Sequence, residues 1–324
     1  MQEHMFKWAF IGAGGIAHSV ARRITACGRH RITAVYNRTF ERGKKLADKY
    51  GAKAYKSLED AVNASDVDGV YVNVTNNVHY DYCARAIRCG KPVLLEKPFT
   101  TDAGQAAELF ALAKENNVYL SEAMWTWFSD SARAAKEITD SRAGSVKNAL
   151  ITLCLPIAFG KKSRLLKSEL AGGALLDVGV YPITYAYRLF GKPKGIDAKA
   201  RFKFGVDVDD DIAFKYDGFD VKIKASVRGL RGVGERIAII GDGWTLKGGK
   251  YHEGKTLVYR HDGIAEKTAG DNNAMLTQFD RVAAEIRDGR TESAYVPHGA
   301  TADVMELLDN IREIIGLKFT FENR

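Results

Sequence analysis

Lys7-Trp8-Ala9-Phe10-Ile11-Gly12-Ala13-Gly14-Gly15-Ile16-Ala17 is a short apolar run closed by a glycine turn, and Val20, Ile24 and nearby alanines then recur at helical spacing. A glycine pattern of this kind means little alone. Between a strand and a helix it lets backbone N–H groups and the helix N-terminus face a pyrophosphate. Gly12 permits the tight turn and Gly14 the close approach of phosphate to backbone, with Ala13, Gly15 and Ile16 completing the loop. The run therefore predicts a dinucleotide-binding βαβ unit.

Working outward, the second strand, 32–36, ends where an NAD-specific fold places a carboxylate for the ribose 2′-hydroxyl. Asn37-Arg38 stand there instead. A guanidinium can grip a 2′-phosphate through paired charge-assisted hydrogen bonds, so NADP(H) is expected over NAD(H), with Arg42 able to help. The alternative is that Arg38 is a solvated charge at a helix start. Further βα units follow at 69–74, 79–89, 92–95 and 103–114, which implies a parallel, doubly wound sheet with ligands beyond the carboxyl ends of its strands. Two polar stretches occur at those ends. Thr75-Asn76-Asn77 with His79 is one, His79 either touching the cofactor or satisfying backbone groups at a helix start. Glu96-Lys97-Pro98 is the other. Pro98 keeps Lys97 extended at the mouth of the sheet, where a cationic nicotinamide and partial burial would lower its pKa and make it usable as an acid or base. On composition alone Lys97 is otherwise a surface lysine beside a turn.

The glycine turn, Glu96-Lys97-Pro98 and Gly172-Gly173-Ala174-Leu175-Leu176-Asp177-Val178-Gly179-Val180-Tyr181-Pro182, in that order, resemble the glucose-fructose oxidoreductase/inositol dehydrogenase (Gfo/Idh/MocA) family over essentially the whole chain. Glu122-Ala123-Met124-Trp125-Thr126 with Tyr181-Pro182 is similar to the branch of dimeric dihydrodiol dehydrogenases and NADP-dependent D-xylose dehydrogenases. The resemblance implies an N-terminal Rossmann domain, 1–122, and a C-terminal α+β substrate-binding and dimerisation domain, 123–324, with a large open, mainly antiparallel sheet. It also implies Lys97 as a catalytic residue, Tyr181 as acid or base facing the nicotinamide, and Asp177 orienting substrate or tuning the proton relay. Glu96 and Trp125 would lie beside the cofactor. The branch usually carries arginine where Trp127 stands here, which removes an expected cation.

After about residue 122 the βα rhythm gives way to strands at 145–155, 198–204, 211–214, 221–227, 236–240 and 256–259, with helices at 272–287 and 301–315. Asp177 and Tyr181, four positions apart, would share a helix face, but Pro182 argues for a helix that restarts there. Trp125, Trp127, Phe128 and Phe159 are either apolar faces for substrate C–H groups or core. The basic stretch Lys161-Lys162-Ser163-Arg164 with Lys167 is a solvated loop or one that draws anions to the site. Asp207, Asp209, Asp210 and Asp211 lack the glycine and distal glutamate of a calcium loop and are assigned to a strand connection.

Bulk properties set the outer bounds. The 324 residues suit two cores, and 46% hydrophobic with 27% charged residues suits an ordered globular chain. The excess of 48 basic over 40 acidic residues, a net +8, is spread along the chain and suggests anionic ligands rather than nucleic acid. No apolar run reaches the roughly 18 residues of a membrane span and no secretory signal opens the chain, so a cytoplasmic protein is expected. The four cysteines form no CxxC pair, so no metal or disulfide framework is expected. The expectation is a hydride-transferring enzyme for a small sugar, polyol or dihydrodiol, active as a homodimer through the C-terminal sheet. Two rivals stand beside it: a catalytically silent NADP(H)-responsive regulator, and a redox-assisted glycosidase using NAD.

Overall fold

The computed structural model describes residues 5–158, 160, 163–229, 233–271 and 273–322. They form two compact units, one of 1–124 with 275–301 and the other of 125–274 with 302–324.

In the first unit the chain runs β1 (Phe6–Ile11), α1 (Gly15–Ala26), β2 (His30–Tyr36), α2 (Phe40–Tyr50), β3 (Lys53–Tyr55), α3 (Leu58–Val62), β4 (Gly69–Val72), α4 (His79–Arg88), β5 (Val93–Glu96), α5 (Ala103–Glu115) and β6 (Leu120–Ala123). The sheet is six-stranded in the order β3-β2-β1-β4-β5-β6, with every pairing parallel. β4, β5 and β6 are buried at every position, as strands covered on both faces must be. The order reverses at β1, so the crevice beyond the carboxyl ends of β1 and β4 is the switch point where such sheets take their ligands. Helix starts are fixed locally: Ser57 accepts from Asp60 N–H and Asp102 from Gln105 N–H. Gly51, in the left-handed region at φ 66°, ends α2.

The second unit holds α6 (Trp125–Phe128), α7 (Asp130–Ser141), β7 (Val146–Cys154), a π-helical turn (Leu175–Gly179) leading into α8 (Val180–Phe190), then β8 (Gly195–Lys203), β9 (Val206–Tyr216), β10 (Phe219–Ser226), β11 (Glu235–Gly241), β12 (Trp244–Gly248), β13 (Val258–His261) and β14 (Ile264–Lys267). Its eight strands are ordered β14-β13-β12-β11-β7-β10-β9-β8, and only β7 with β10 is parallel. α8 packs on β7 and β10.

α9 (Ala274–Arg287) then returns to the first unit, and α10 (His298–Ile315) crosses the boundary between the units at residue 301. This corrects the contiguous division at 122. Phe279 is fully buried with its ring 4.9 Å from Trp8 and 5.2 Å from Tyr71, and Glu285 accepts the Tyr119 hydroxyl at 2.7 Å. The segment fills a face of the first sheet that β1 and β4 leave apolar. β6, at 120–123, likewise belongs to that sheet, which moves the first break to residue 124.

Two other expectations change. Asp207, Asp209, Asp210 and Asp211 lie within β9 rather than in a connection, with Asp207 and Asp210 buried. A register shift between Arg201 and Phe202 leaves Val208 as an extra residue on β9, and this bulge turns Asp207 inward, while Asp210 is inward by plain alternation with Ile212 and Phe214. The helix does not restart at Pro182: Ala174, Gly179 and Val180 are all in the right-handed region and the chain is helical from 174 to 190, with the wider π-helical turn standing before the proline, where it relieves the clash of the ring with the carbonyl four residues back. Of the four free cysteines, Cys83 and Cys154 are buried, while Cys27 and Cys89 are half-buried.

Candidate active site

Within the first unit, α1 begins directly at the glycine turn. Gly14 precedes it with no side-chain cap, and no acidic residue occupies its first turn. Gly12 has φ 118°, and a Cβ there would come within 2.6 Å of the Asn73 carbonyl and side-chain oxygens. At Gly14 and Gly15 a Cβ would meet nothing within 4 Å. The turn is thus closed from below by Asn73 and open above, with helix N–H groups facing the opening. That arrangement fits a pyrophosphate. Asn37 ties the turn to β2: its Oδ1 accepts from Ala13 N–H at 3.2 Å and its Nδ2 donates to Thr39 O at 2.8 Å. Arg38 and Arg42 are exposed and form no ion pair among the described residues. Asn77 Oδ1, in the turn after β4, is buried without a hydrogen-bond partner among the described residues.

The structure brings both polar strand ends together. His79 is buried, and its imidazole lies 2.8 Å from Pro98 O through Nδ1 and 3.3 Å from Val74 O through Nε2. It joins the loop after β4 to the turn carrying Lys97. Thr75 is half-buried and Asn76 buried in the same loop. Lys97 is half-buried beside two buried carboxyls. Glu96 accepts the Tyr71 hydroxyl at 2.5 Å and the Lys97 N–H at 3.3 Å. Glu122, paired opposite Leu95, accepts the Thr301 hydroxyl at 3.1 Å. Burial pushes the Glu122 carboxyl up to about 7, the Glu96 charge adds to the rise, and the Thr301 hydrogen bond, the Lys97 charge and the Phe99 N–H oppose it.

Within the second unit, the Gly172-Gly173 step is explained by what it crosses. A Cβ on Gly173, at φ 134°, would stand 2.2 Å from Asp207 Oδ1, and one on Gly172 would stand 2.5 Å from Arg164 O. Asp207 Oδ2 accepts Leu175 N–H at 2.5 Å and the carboxyl also takes Ala174 N–H, so it caps the π-helical turn that leads into α8. Asp210 faces Asp207. Burial, then the neighbouring charge of Asp207, raises the Asp210 carboxyl well above its ordinary range, so Asp210 keeps its proton and donates it to Asp207.

This cap positions two of the residues singled out from sequence. Asp177 is buried and pairs with Arg164 at 2.8 Å, which gives the basic stretch a defined task for one of its charges. Tyr181 is buried, stacked on Trp125 at 5.9 Å between ring centroids, with His252 edge-on at 5.3 Å. Trp127 and Phe128 are fully or almost fully buried, Trp127 against Tyr185 at 5.3 Å. The cation missing at position 127 has a counterpart nearby: the Arg188 guanidinium lies 4.7 Å over the Trp127 ring. Phe159, Lys161 and Lys162 lie outside the described residues. Sequence reading missed Asn73, the role of Glu122, Asp207 and its partner Asp210, and His252. Asn73 lies near the end of a strand already recognised and Glu122 in β6, a strand the sequence reading did not name, whereas Asp207 and His252 are brought to their sites by long-range pairing that no local pattern carries.

Two family models match this chain. One, described as an oxidoreductase family with an NAD-binding Rossmann fold, covers 6–124, and the other, the GFO/IDH/MocA C-terminal domain, covers 132–247. The chain belongs to the Gfo/Idh/MocA oxidoreductase family. It is 27% identical over 97% of its length to the NADP-dependent scyllo-inositol 2-dehydrogenase IolU of Bacillus subtilis, covering 98% of that enzyme. It is 32% identical over 65% of its length to trans-1,2-dihydrobenzene-1,2-diol dehydrogenase of Xenopus tropicalis, covering 66% of that protein. The fold matches KijD10, a 3-ketoreductase from Actinomadura kijaniata crystallised with NADP and TDP-benzene, with a TM-score of 0.84 and 22% identity over 96% of this chain and 98% of that one. As a Gfo/Idh/MocA protein the chain is an oxidoreductase whose first unit binds a nicotinamide dinucleotide. No helix among the described residues is long and apolar enough to cross a membrane.

Proposed function

We propose that this Gfo/Idh/MocA enzyme is an NADP-preferring dehydrogenase or reductase acting at a carbinol or carbonyl carbon of a sugar, polyol or dihydrodiol, with Lys97 and Tyr181 handling the proton. The carrying observation is Lys97 itself: a half-buried amine at the carboxyl end of β5, fixed through the His79 link to Pro98 and set beside the buried Glu96 and Glu122. Such a lysine holds a substrate oxygen and exchanges its proton. Tyr181 supplies a phenol on the first turn of α8, and Trp125 beside it offers a flat face to substrate C–H groups. Asp177, held by Arg164, orients substrate rather than acting as a base. Bound, the nicotinamide supplies or takes up the hydride.

The NADP preference rests on Asn37-Arg38 at the end of β2, with Arg38 and Arg42 exposed and outside the ion pairs of the described residues. Exposed Phe202 and Phe204 at β8, and Ile264 on β14, support association of two copies through the second sheet in a cytoplasmic homodimer. The test is kinetic. Lys97→Met is expected to bind NADPH as the wild type does and to lose turnover on D-xylose, scyllo-inositol, trans-1,2-dihydrobenzene-1,2-diol and anhydrosugars. Unchanged kinetics would remove Lys97 from the mechanism. Arg38→Ala is expected to weaken NADPH at least tenfold more than NADH, about 1.4 kcal/mol of selectivity, and an equal effect on both would refute the 2′-phosphate contact. A wild-type protein that binds NADPH tightly yet turns over none of the panel would instead favour a regulatory protein.

A further inference from the structure

His252 and Glu235 belong to no motif, yet His252 stands beside Tyr181 and Glu235 beside His252. His252 lies in a single helical turn, Tyr251–Glu253, bracketed by Lys250 and Gly254 in the left-handed region. Glu235 Oε1 lies 2.8 Å from His252 Nδ1 and accepts the His252 backbone N–H at 3.0 Å. The Thr126 hydroxyl donates to His252 O at 3.0 Å. One carboxylate oxygen thus hydrogen-bonds the main chain of the histidine and stands in contact with its ring nitrogen, which makes no aligned hydrogen bond among the described residues, on side chains only 13% and 8% exposed. The imidazole meets the phenol ring at 65°, while Trp125 stacks on it at 27° and lies 6.2 Å from His252.

We propose that Glu235 and His252 are a positioning pair for Tyr181: the carboxylate fixes the imidazole, and the imidazole with Trp125 fixes the plane of the phenol. This rests on the reading of Tyr181 as the proton-handling residue. A tyrosine ring has a broad second torsion; turning about it leaves the oxygen on the axis but rotates the plane in which the O–H bond and the lone pair lie, so the proton has no fixed direction unless neighbours on two sides hold the ring. Trp125 blocks one face, and a ring placed edge-on blocks rotation out of that plane. An unanchored histidine would move with the phenol. The Glu235 clamp removes that freedom, which is what a site that must aim a proton within about 10–20° demands.

The test uses the full chain saturated with NADPH and labelled with fluorotyrosine, the Tyr181 fluorine line being the one lost in Tyr181→Phe. His252→Ala and Glu235→Ala are expected to broaden and move that line, with Glu235→Gln, which keeps an acceptor, leaving it near its wild-type position. In parallel, kcat on whichever of D-xylose, scyllo-inositol and the dihydrobenzenediol is turned over should fall about tenfold in Glu235→Ala with KM within about twofold. His252→Asn, which keeps a donor toward Glu235 but has no ring, should behave as His252→Ala and serves if the alanine variant does not fold. A Tyr181 line unmoved in His252→Asn and Glu235→Ala overturns the proposal, as does a loss confined to KM. Full turnover in Tyr181→Phe together with a moved line would retire the catalytic reading of Tyr181 and leave the positioning pair standing.

Discussion

Glu122 is a carboxyl with no water around it, and its neighbours do not fully replace that water. Burial and Glu96 favour the neutral acid, whereas Thr301, Lys97 and Phe99 N–H favour the anion, and the balance leaves it at about 7 against an ordinary 4.5. The native state therefore binds a proton that the unfolded chain has already released between those values. Below 4.5 both states are protonated and the group is neutral in its effect. As pH rises to about 7 stability falls, and above that the cost is constant at roughly 3 kcal/mol. Glu122→Gln keeps the Thr301 contact without the charge. It is expected to change urea stability little at pH 4.5, to stabilise the protein by about 2–3 kcal/mol at pH 8, and to flatten the slope between. An equal shift at both pH values would mean that Glu122 is an ordinary buried anion. The residue was in view in the sequence, inside the Glu122-Ala123-Met124-Trp125-Thr126 string, but its neighbours were not: Thr301 joins it from far along the chain.

At the scale of elements, the π-helical turn and α8 depend on a strand they do not adjoin in sequence. Asp207 takes the Leu175 and Ala174 N–H groups and Asp210 lends it a proton, because two buried carboxyls side by side cannot both ionise. The two acids should respond unequally. Asp207→Ala strands helix-start N–H groups and is expected to cost about 3 kcal/mol in chemical denaturation, with kcat reduced because Tyr181 rides on that helix. Asp210→Asn still donates and is expected to cost under about 1 kcal/mol. Equal losses would show that Asp210 is ionised after all. Local pattern flagged an irregularity at Pro182 but not its form, because a π-helical turn carries the helix past the proline where a restart was expected. Asp207 was not legible, because a bulge decides which face a strand residue takes, and alternation across β9 cannot reveal where it sits. The strands β12 and β14 escaped for a related reason: five and four residues with mixed polarity carry too short a period to stand out.

For the molecule as a whole, the βα rhythm of 6–123 and the strand-rich remainder made both architectures readable, and the glycine turn located the switch point. The return of 275–301 was not readable. An amphipathic helix declares that it needs a partner, and its sequence does not say which sheet supplies it. The structure answers with Phe279 on Trp8 and Tyr71, and with Asp280 2.7 Å from Arg29 and 2.9 Å from His30, whose other nitrogen accepts from Trp8 Nε1. Burial alone would raise Asp280, yet those two basic partners hold it down at about 2. A fragment ending at residue 124 would expose the Trp8 and Tyr71 rings to water. It is therefore expected to lack a cooperative thermal transition and to bind NADPH at least a hundredfold more weakly than the full chain, about 2.7 kcal/mol, whereas co-expression with residues 270–301 should restore both. In the full chain, Phe279→Ala should cost about 3–5 kcal/mol through the cavity it leaves. A lone 1–124 fragment that melts cooperatively and binds NADPH at full strength would show that the dinucleotide unit is complete without its returning helix, and that α9 only decorates it.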